Sequence, residues 1–194
     1  MKKISLFCLV TIAFFLTMNL PVFASGKPPE EGSTLPSIKL PVPESPEEKA
    51  YLGLKGKGSF TIPQIKADVV IIEIFSMYCP YCQNEAPRVN ELYQAIEKDT
   101  ELKNKIKIIG IGAGNTPFEV NVFRKKYQIP FPLFPDVDFS IHKVCGEVRT
   151  PYFIGVKINK DGTHEVIYSK LGTIQDAQQF LDLILKKSGL KKEG

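Results

Sequence analysis

Val69 to Phe75 reads Val-Val-Ile-Ile-Glu-Ile-Phe, and it ends four residues before Cys79-Pro80-Tyr81-Cys82. A β-branched apolar run of this length reads as a central strand buried on both faces, which requires helices on either side of a sheet. From Cys82 onward, Ala86, Val89, Leu92, Tyr93 and Ile96 recur at helical spacing to about Lys98, with Pro87 inside the helix and expected to kink it. The cysteine pair therefore falls at a strand-to-helix junction. Unpaired backbone N–H groups and the macrodipole favour a thiolate at a helix start. Two cysteines with two residues between them can also close a small disulfide ring.

The rest of the chain extends this pattern. Leu35 to Leu40 has the look of a short edge strand, and the glycines at 53, 56 and 58 suggest a loose hairpin before Pro63. Ile106 to Ile111 is a second β-rich run. Thr116 and Pro117 supply an N-cap and a first-turn proline for a helix through Val120, Phe123 and Tyr127. Phe131 to Phe134 predicts a short strand. Asp138 is expected to cap a short helix that passes Ile141 and Cys145 and stops at Gly146. Pro151 to Ile158, the turn Asn159-Lys160-Asp161-Gly162 and Thr163 to Ser169 predict a hairpin. A last helix is expected from Thr173, with Ala177, Phe180, Leu181 and Ile184 on one face. Parallel crossovers followed by an antiparallel pair predict an α/β three-layer sandwich with a central mixed sheet flanked by helices.

The N-terminus predicts export. Met1-Lys2-Lys3 is a basic n-region, Ile4 to Leu20 is almost wholly apolar, and Val22-Phe23-Ala24 before Ser25 resembles a cleavage site. Residues 1–24 are expected to be a signal peptide and to direct the protein to the periplasm. The alternative is an uncleaved anchor with the domain outside the cytoplasm, because the run is nearly long enough to span a bilayer. Residues 25–50, rich in Pro, Glu, Ser and Lys, predict an extended lead-in with little regular structure; 51–190 form the expected domain. Two of the four net positive charges lie on Lys2 and Lys3. The remaining basic residues are scattered, with pairs at Lys125-Lys126, Lys186-Lys187 and Lys191-Lys192, and carry no nucleic-acid footprint. Past residue 24 the cysteines are 79, 82 and 145, which is a redox pair and an odd thiol rather than a stapling framework.

Cys79 is the candidate nucleophile and Cys82, one turn into the helix, the candidate resolving thiol. Glu73 sits on the face of the strand that Phe75 occupies. Burial would raise its pKa and let it exchange protons with Cys82; the alternative is an edge-of-strand carboxylate facing solvent or a lysine. Glu85 shares a helix face with Cys82 and could tune it, or could be an exposed first-turn glutamate favoured by the dipole. Thr150-Pro151 is a candidate cis bond at the start of a strand. Met77, Tyr78 and Tyr81 flank the motif, as an apolar collar or as ordinary packing.

Cys79-Pro80-Tyr81-Cys82, Glu73 six residues before it, Pro87 five after Cys82 and Thr150-Pro151 together resemble the thioredoxin superfamily. Cys82-Gln83-Asn84-Glu85-Ala86-Pro87 more narrowly resembles the TlpA/ResA-like periplasmic thiol–disulfide oxidoreductases. The resemblance implies a thioredoxin-like fold over roughly residues 50–188 and thiol–disulfide exchange without a cofactor. It implies a cis Pro151 facing the disulfide, so that Tyr78, Pro80, Tyr81, Thr150 and Pro151 would contact substrate. Glu73 would match the buried acid of thioredoxin, and Glu85 the active-site glutamate of the ResA type. Its partners would be cysteine-containing exported proteins, apocytochrome c among them, and a membrane-embedded electron donor, with the protein acting as a monomer. There are two departures: Tyr78 stands where tryptophan is usual, and the Pro-Tyr dipeptide is of the glutaredoxin type.

A rival reading joins Cys79 and Cys82 to His142 or Cys145 in a zinc or copper site, since a Cys₃His set suits zinc. Against it, Cys145 could be a small core residue and His142 a surface one, or Cys145 could form a regulatory disulfide. A peroxidase is a third option, but the Thr-x-x context of a peroxidatic cysteine is missing.

Overall fold

A computed structural model describes residues 26–190. The expected signal peptide and the Lys191-Lys192 pair lie outside them. The Val69–Phe75 run forms β3, and every residue of it is buried. It is the middle strand of a five-stranded sheet. Parallel β4 (Ile106–Ala113) and β5 (Leu133–Asp136) lie to one side, and antiparallel β6 (Tyr152–Ile158) and β7 (His164–Leu171) to the other.

The alternation of β3 sorts the core into two layers. Val69, Ile71 and Phe75 face α2 (Pro80–Lys98), α3 (Pro117–Tyr127) and α5 (Ala177–Ser188), meeting Ala86, Val89, Phe123, Leu181 and Ile184. Val70, Ile72 and Ile74 face Leu40, Leu52, Phe60, Ile62 and Cys145. Each such side chain removed from water contributes about 1.5–3 kcal/mol, so a strand buried on both faces anchors the sheet. The α/β sandwich with a mixed central sheet is as expected. At the hairpin, Asn159 N–H donates to Thr163 O at 2.8 Å and Asp161 Oδ1 accepts from Thr163 N–H at 2.9 Å.

Four local expectations are corrected. The lead-in is not structureless: it holds β1 (Lys39–Pro41) and most of α1 (Pro46–Leu52), so the boundary at residue 50 falls inside a helix. Ser45 caps that helix through Glu48 N–H, with Pro46 in its first turn. The glycines at 53, 56 and 58 do not close their own hairpin, because β2 (Ser59–Thr61) pairs back with β1. The short helix α4 (Ser140–Val144) is not held by Asp138 alone. Asp136 accepts the N–H groups of Ile141 and His142 at 3.0 and 2.8 Å, while Asp138 takes only that of Ser140. The last helix starts later than Thr173, at an Asp176 N-cap.

β3, β4, β5 and β7 all end at the edge of the sheet where β6 begins. Cys79, Asn115 and Thr150-Pro151 are thereby gathered at one end of the molecule.

Candidate active site

Cys79 is the N-cap residue of α2, and Pro80 occupies the first turn, where a missing N–H costs nothing. Cys79 and Cys82 are free thiols. The Cys79 thiol, half-buried, donates to Thr150 O at 3.3 Å. Burial pushes its pKa up. The Thr150 hydroxyl, the Cys82 N–H and thiol and the Tyr81 N–H outweigh that push, and the net pKa lies below that of an ordinary cysteine. Cys82 is fully buried and displaced the other way. Burial pushes its thiol well up; the Ser76 N–H opposes this, while Cys79 and Glu73 add to it. One thiol is thus poised to ionise and its neighbour to stay protonated.

Glu73 is 3 % exposed on the central strand, and its Oε1 has no hydrogen-bond partner among the described residues. The edge-strand alternative fails, because β3 is central and, among the described residues, no lysine pairs with the carboxyl. Burial, then Glu85, then Cys79 push its pKa up to about 8. Glu85 is 2 % exposed and lies beyond the first turn of α2, so the exposed-glutamate alternative fails too. Its Oε1 accepts the Ile174 N–H at 2.6 Å. Burial pushes it up to about 7, against the opposing effects of that N–H and of Arg88. Both carboxyls face the same side of the sheet as the cysteine pair.

The rim differs from the interior. Tyr78 and Tyr81 are 66 % and 69 % exposed, which excludes a core role, whereas Met77 is partly buried against the helix-side core. The Tyr78 hydroxyl donates to Glu119, the acid of the Thr116 capping box at the start of α3. The Thr150–Pro151 bond is cis. A groove of about 390 Å³ runs along Tyr81, Arg149, Thr150, Pro151, Leu171, Gly172 and Thr173.

Several positioning residues escaped the sequence reading. Asn115, fully buried, accepts the Met77 N–H at 2.8 Å and donates to Ser76 Oγ at 3.4 Å. Gln83 donates to Met77 O at 2.8 Å. Together they fix the loop whose Ser76 N–H faces Cys82. The available signal was an Asn-Thr-Pro turn closing the second apolar run, at the sheet end that carries the cysteines.

The metal rival is not assembled. Cys145 lies in the core on the opposite face of the sheet from Cys79 and Cys82, where burial and Asp136 push it up to about 12. His142 Nε2 is engaged with Val148 O at 2.7 Å. Among the described residues, no three His, Cys, Asp or Glu side chains group to hold a metal ion.

Comparison with known proteins agrees with this geometry. Residues 32–175 match the AhpC/TSA family. The thiol-disulfide oxidoreductase ResA of Bacillus cereus is 29 % identical over 153 residues, covering 74 % of this chain and 82 % of the relative. ResA of Geobacillus thermodenitrificans is 25 % identical, covering 79 % and 77 %. Among solved structures, a putative thiol:disulfide interchange protein DsbE from Chlorobium tepidum superposes with a TM-score of 0.61 at 15 % identity, over 83 % of this chain and 99 % of that one. StoA from Bacillus subtilis gives 0.51 at 22 %, over 66 % and 89 %. These two share the thioredoxin-like fold.

Proposed function

The chain belongs to the AhpC/TSA family and is a thiol–disulfide oxidoreductase, and from that premise we propose that Cys79 attacks and Cys82 resolves in an exported enzyme acting on cysteine pairs of exported proteins. The observation that carries the assignment is the unequal placement of the two thiols. Cys79 is half-buried at the helix start beside Thr150, and Cys82 is sealed behind it.

The Cys79 thiolate attacks one sulfur of the substrate disulfide. The other sulfur leaves as a thiolate and takes a proton from solvent. Glu73, ionised, accepts the proton of Cys82, whose sulfur then attacks Cys79 in the mixed disulfide and releases the second substrate thiol. The substrate disulfide is reduced to a dithiol while the Cys79–Cys82 pair is oxidised. A membrane-embedded dithiol donor would restore it, and the same steps reversed would oxidise a substrate. Residues 1–24 would direct export to the periplasm, either cleaved after Ala24 or retained as an anchor; among the described residues no helix is long and apolar enough to cross a membrane. Apocytochrome c, whose cysteines must be reduced before haem attachment, would be one substrate, and the enzyme would then serve cytochrome c biogenesis.

Insulin reduction and trapping of intermediates test the assignment. Cys79→Ser should abolish exchange, and Cys82→Ser should accumulate a mixed disulfide through Cys79. A mixed disulfide through Cys82, or full activity of Cys79→Ser, would overturn it.

A further inference from the structure

Arg149 lies next to Thr150, the residue that meets the Cys79 thiol. It is exposed and has no ion-pair or hydrogen-bond partner among the described residues. Beside it runs the 390 Å³ groove. Tyr81 and Leu171, both exposed, are among the residues that line it. The Gly172 N–H donates to Pro151 O at 3.0 Å, and Gly172, at φ +117, has nothing within 4 Å of where a Cβ would stand. No carboxylate lines the groove among the described residues, and Glu85 is occupied by the Ile174 N–H. An uncompensated guanidinium thus borders an apolar trough that shares Thr150 and Pro151 with the reacting thiol.

We propose that Arg149, which lines this groove, selects a carboxylate in the chain segment flanking the substrate's reacting cysteine. The proposal rests on the assignment of Cys79 as nucleophile and adds a substrate class: exported polypeptides with an acidic residue and an aliphatic or aromatic one beside the cysteine. Charge complementarity favours this occupant. A guanidinium is weakly hydrated and presents a planar fork that matches a carboxylate, so partial desolvation by Tyr81 and Leu171 costs it less than it would cost an ammonium. Continuity with the reacting centre favours it too, because a segment lying on Pro151 reaches Cys79 through Thr150 without a gap.

The test uses two disulfide-bearing peptides identical but for Glu or Lys beside the reacting cysteine. The full domain should process the Glu peptide with a kcat/KM roughly three- to tenfold higher at low salt, with the advantage shrinking at high salt. Arg149→Ala should erase the preference, Arg149→Lys should keep part of it, and Arg149→Glu should invert it. Each variant is read as the ratio of its own two rates, and a kept preference in Arg149→Lys or an inverted one in Arg149→Glu cannot come from a loss of fold. Equal rates for both peptides with the unsubstituted protein, or a preference that survives Arg149→Ala, would overturn the proposal. Failure of the unsubstituted protein to exchange with hydroxyethyl disulfide, a linear uncharged disulfide, would instead overturn the assignment on which it rests.

Discussion

Glu73 and Glu85 are buried to the same degree, one on the central strand and one on the active-site helix, yet their surroundings separate them. Glu73 has an oxygen with no hydrogen-bond partner among the described residues, whereas Glu85 holds the Ile174 N–H. That bond and Arg88 favour the charged form of Glu85, which reaches about 7, while Glu85 and Cys79 add to the effect of burial on Glu73, which reaches about 8. Glu73 also acts on Cys82, whose pKa it helps to raise. Burial alone makes a carboxyl hard to ionise. What its oxygens touch decides whether it is a mobile proton carrier or a fixed strut. In the mechanism proposed above Glu73 would move protons for Cys82, while Glu85 ties α2 to the Thr173–Ile174 segment that borders the groove.

The largest expected difference is kinetic. Glu73→Gln should slow resolution of the mixed disulfide by about 10²-fold or more at neutral pH, the usual worth of a positioned proton carrier. Glu85→Gln should slow it by less than about threefold, because an amide oxygen still accepts the Ile174 N–H. Glu73 accepts the Cys82 proton only when ionised. The resolution rate should therefore rise with pH through about 8, and Glu73→Gln should lose that limb. Stopped-flow measurement of mixed-disulfide decay between pH 6 and pH 9 reads both effects. Equal losses in the two variants would break the comparison.

Stability gives the next largest effect. In the unfolded chain Glu73 ionises near the ordinary value of 4.5; in the fold it holds its proton to about 8. Between these values the native state binds more protons than the unfolded one, so stability falls as pH rises and levels off above about 8. Glu73→Gln should leave stability almost unchanged near pH 4 and raise it by a few kcal/mol near pH 9. Urea unfolding across that range decides it, and a variant that is less stable at pH 9 would show the carboxylate to be compensated by something unseen.

The contrast between the two carboxyls was only half legible in the sequence. A glutamate inside Val69–Phe75 could hardly avoid the core, because period-two alternation puts it beside Phe75. Glu85 could not be settled that way, since its burial depends on the Thr173–Ile174 segment, which lies 89 residues away along the chain. The same distinction holds across the fold. Continuous apolar runs and the Asn159–Gly162 turn declare themselves locally. The pairing of β1 with β2 and the hold of Asn115 on Met77 span long separations that no local pattern reports. The α1 helix was a different kind of miss: its cap, proline and acidic first turn are local signals, hidden in a stretch whose composition suggested disorder. Cys145 and His142 lie within one turn of each other in sequence, but Cys145 is buried in the core layer away from the cysteine pair and His142 is engaged with Val148 O, so spacing alone suggested a ligand pair.

Glu85→Ala should cost about 1–3 kcal/mol, because it leaves the buried Ile174 N–H without a partner. Glu85→Gln should cost much less. The loss should concentrate at the groove, so amide exchange of Ile174 should accelerate in Glu85→Ala and stay slow in Glu73→Gln. Faster exchange at Ile174 in both variants would mean that Glu73 also supports the segment, and the separation of carrier from strut would not hold.

The finest test removes Arg88, which opposes the rise of the Glu85 pKa and pairs with Glu91 at 3.1 Å. Both partners of that pair are about half exposed, so Arg88→Ala should cost less than about 1 kcal/mol. Without the guanidinium, the Glu85 pKa should move further up. Glu73 should hold still or move slightly down, because a Glu85 that stays neutral to higher pH repels it less. Carboxyl ¹³C titration resolves the two. A common upward shift would mean that Arg88 acts on both groups alike, and the surroundings of Glu85 would no longer set it apart from Glu73.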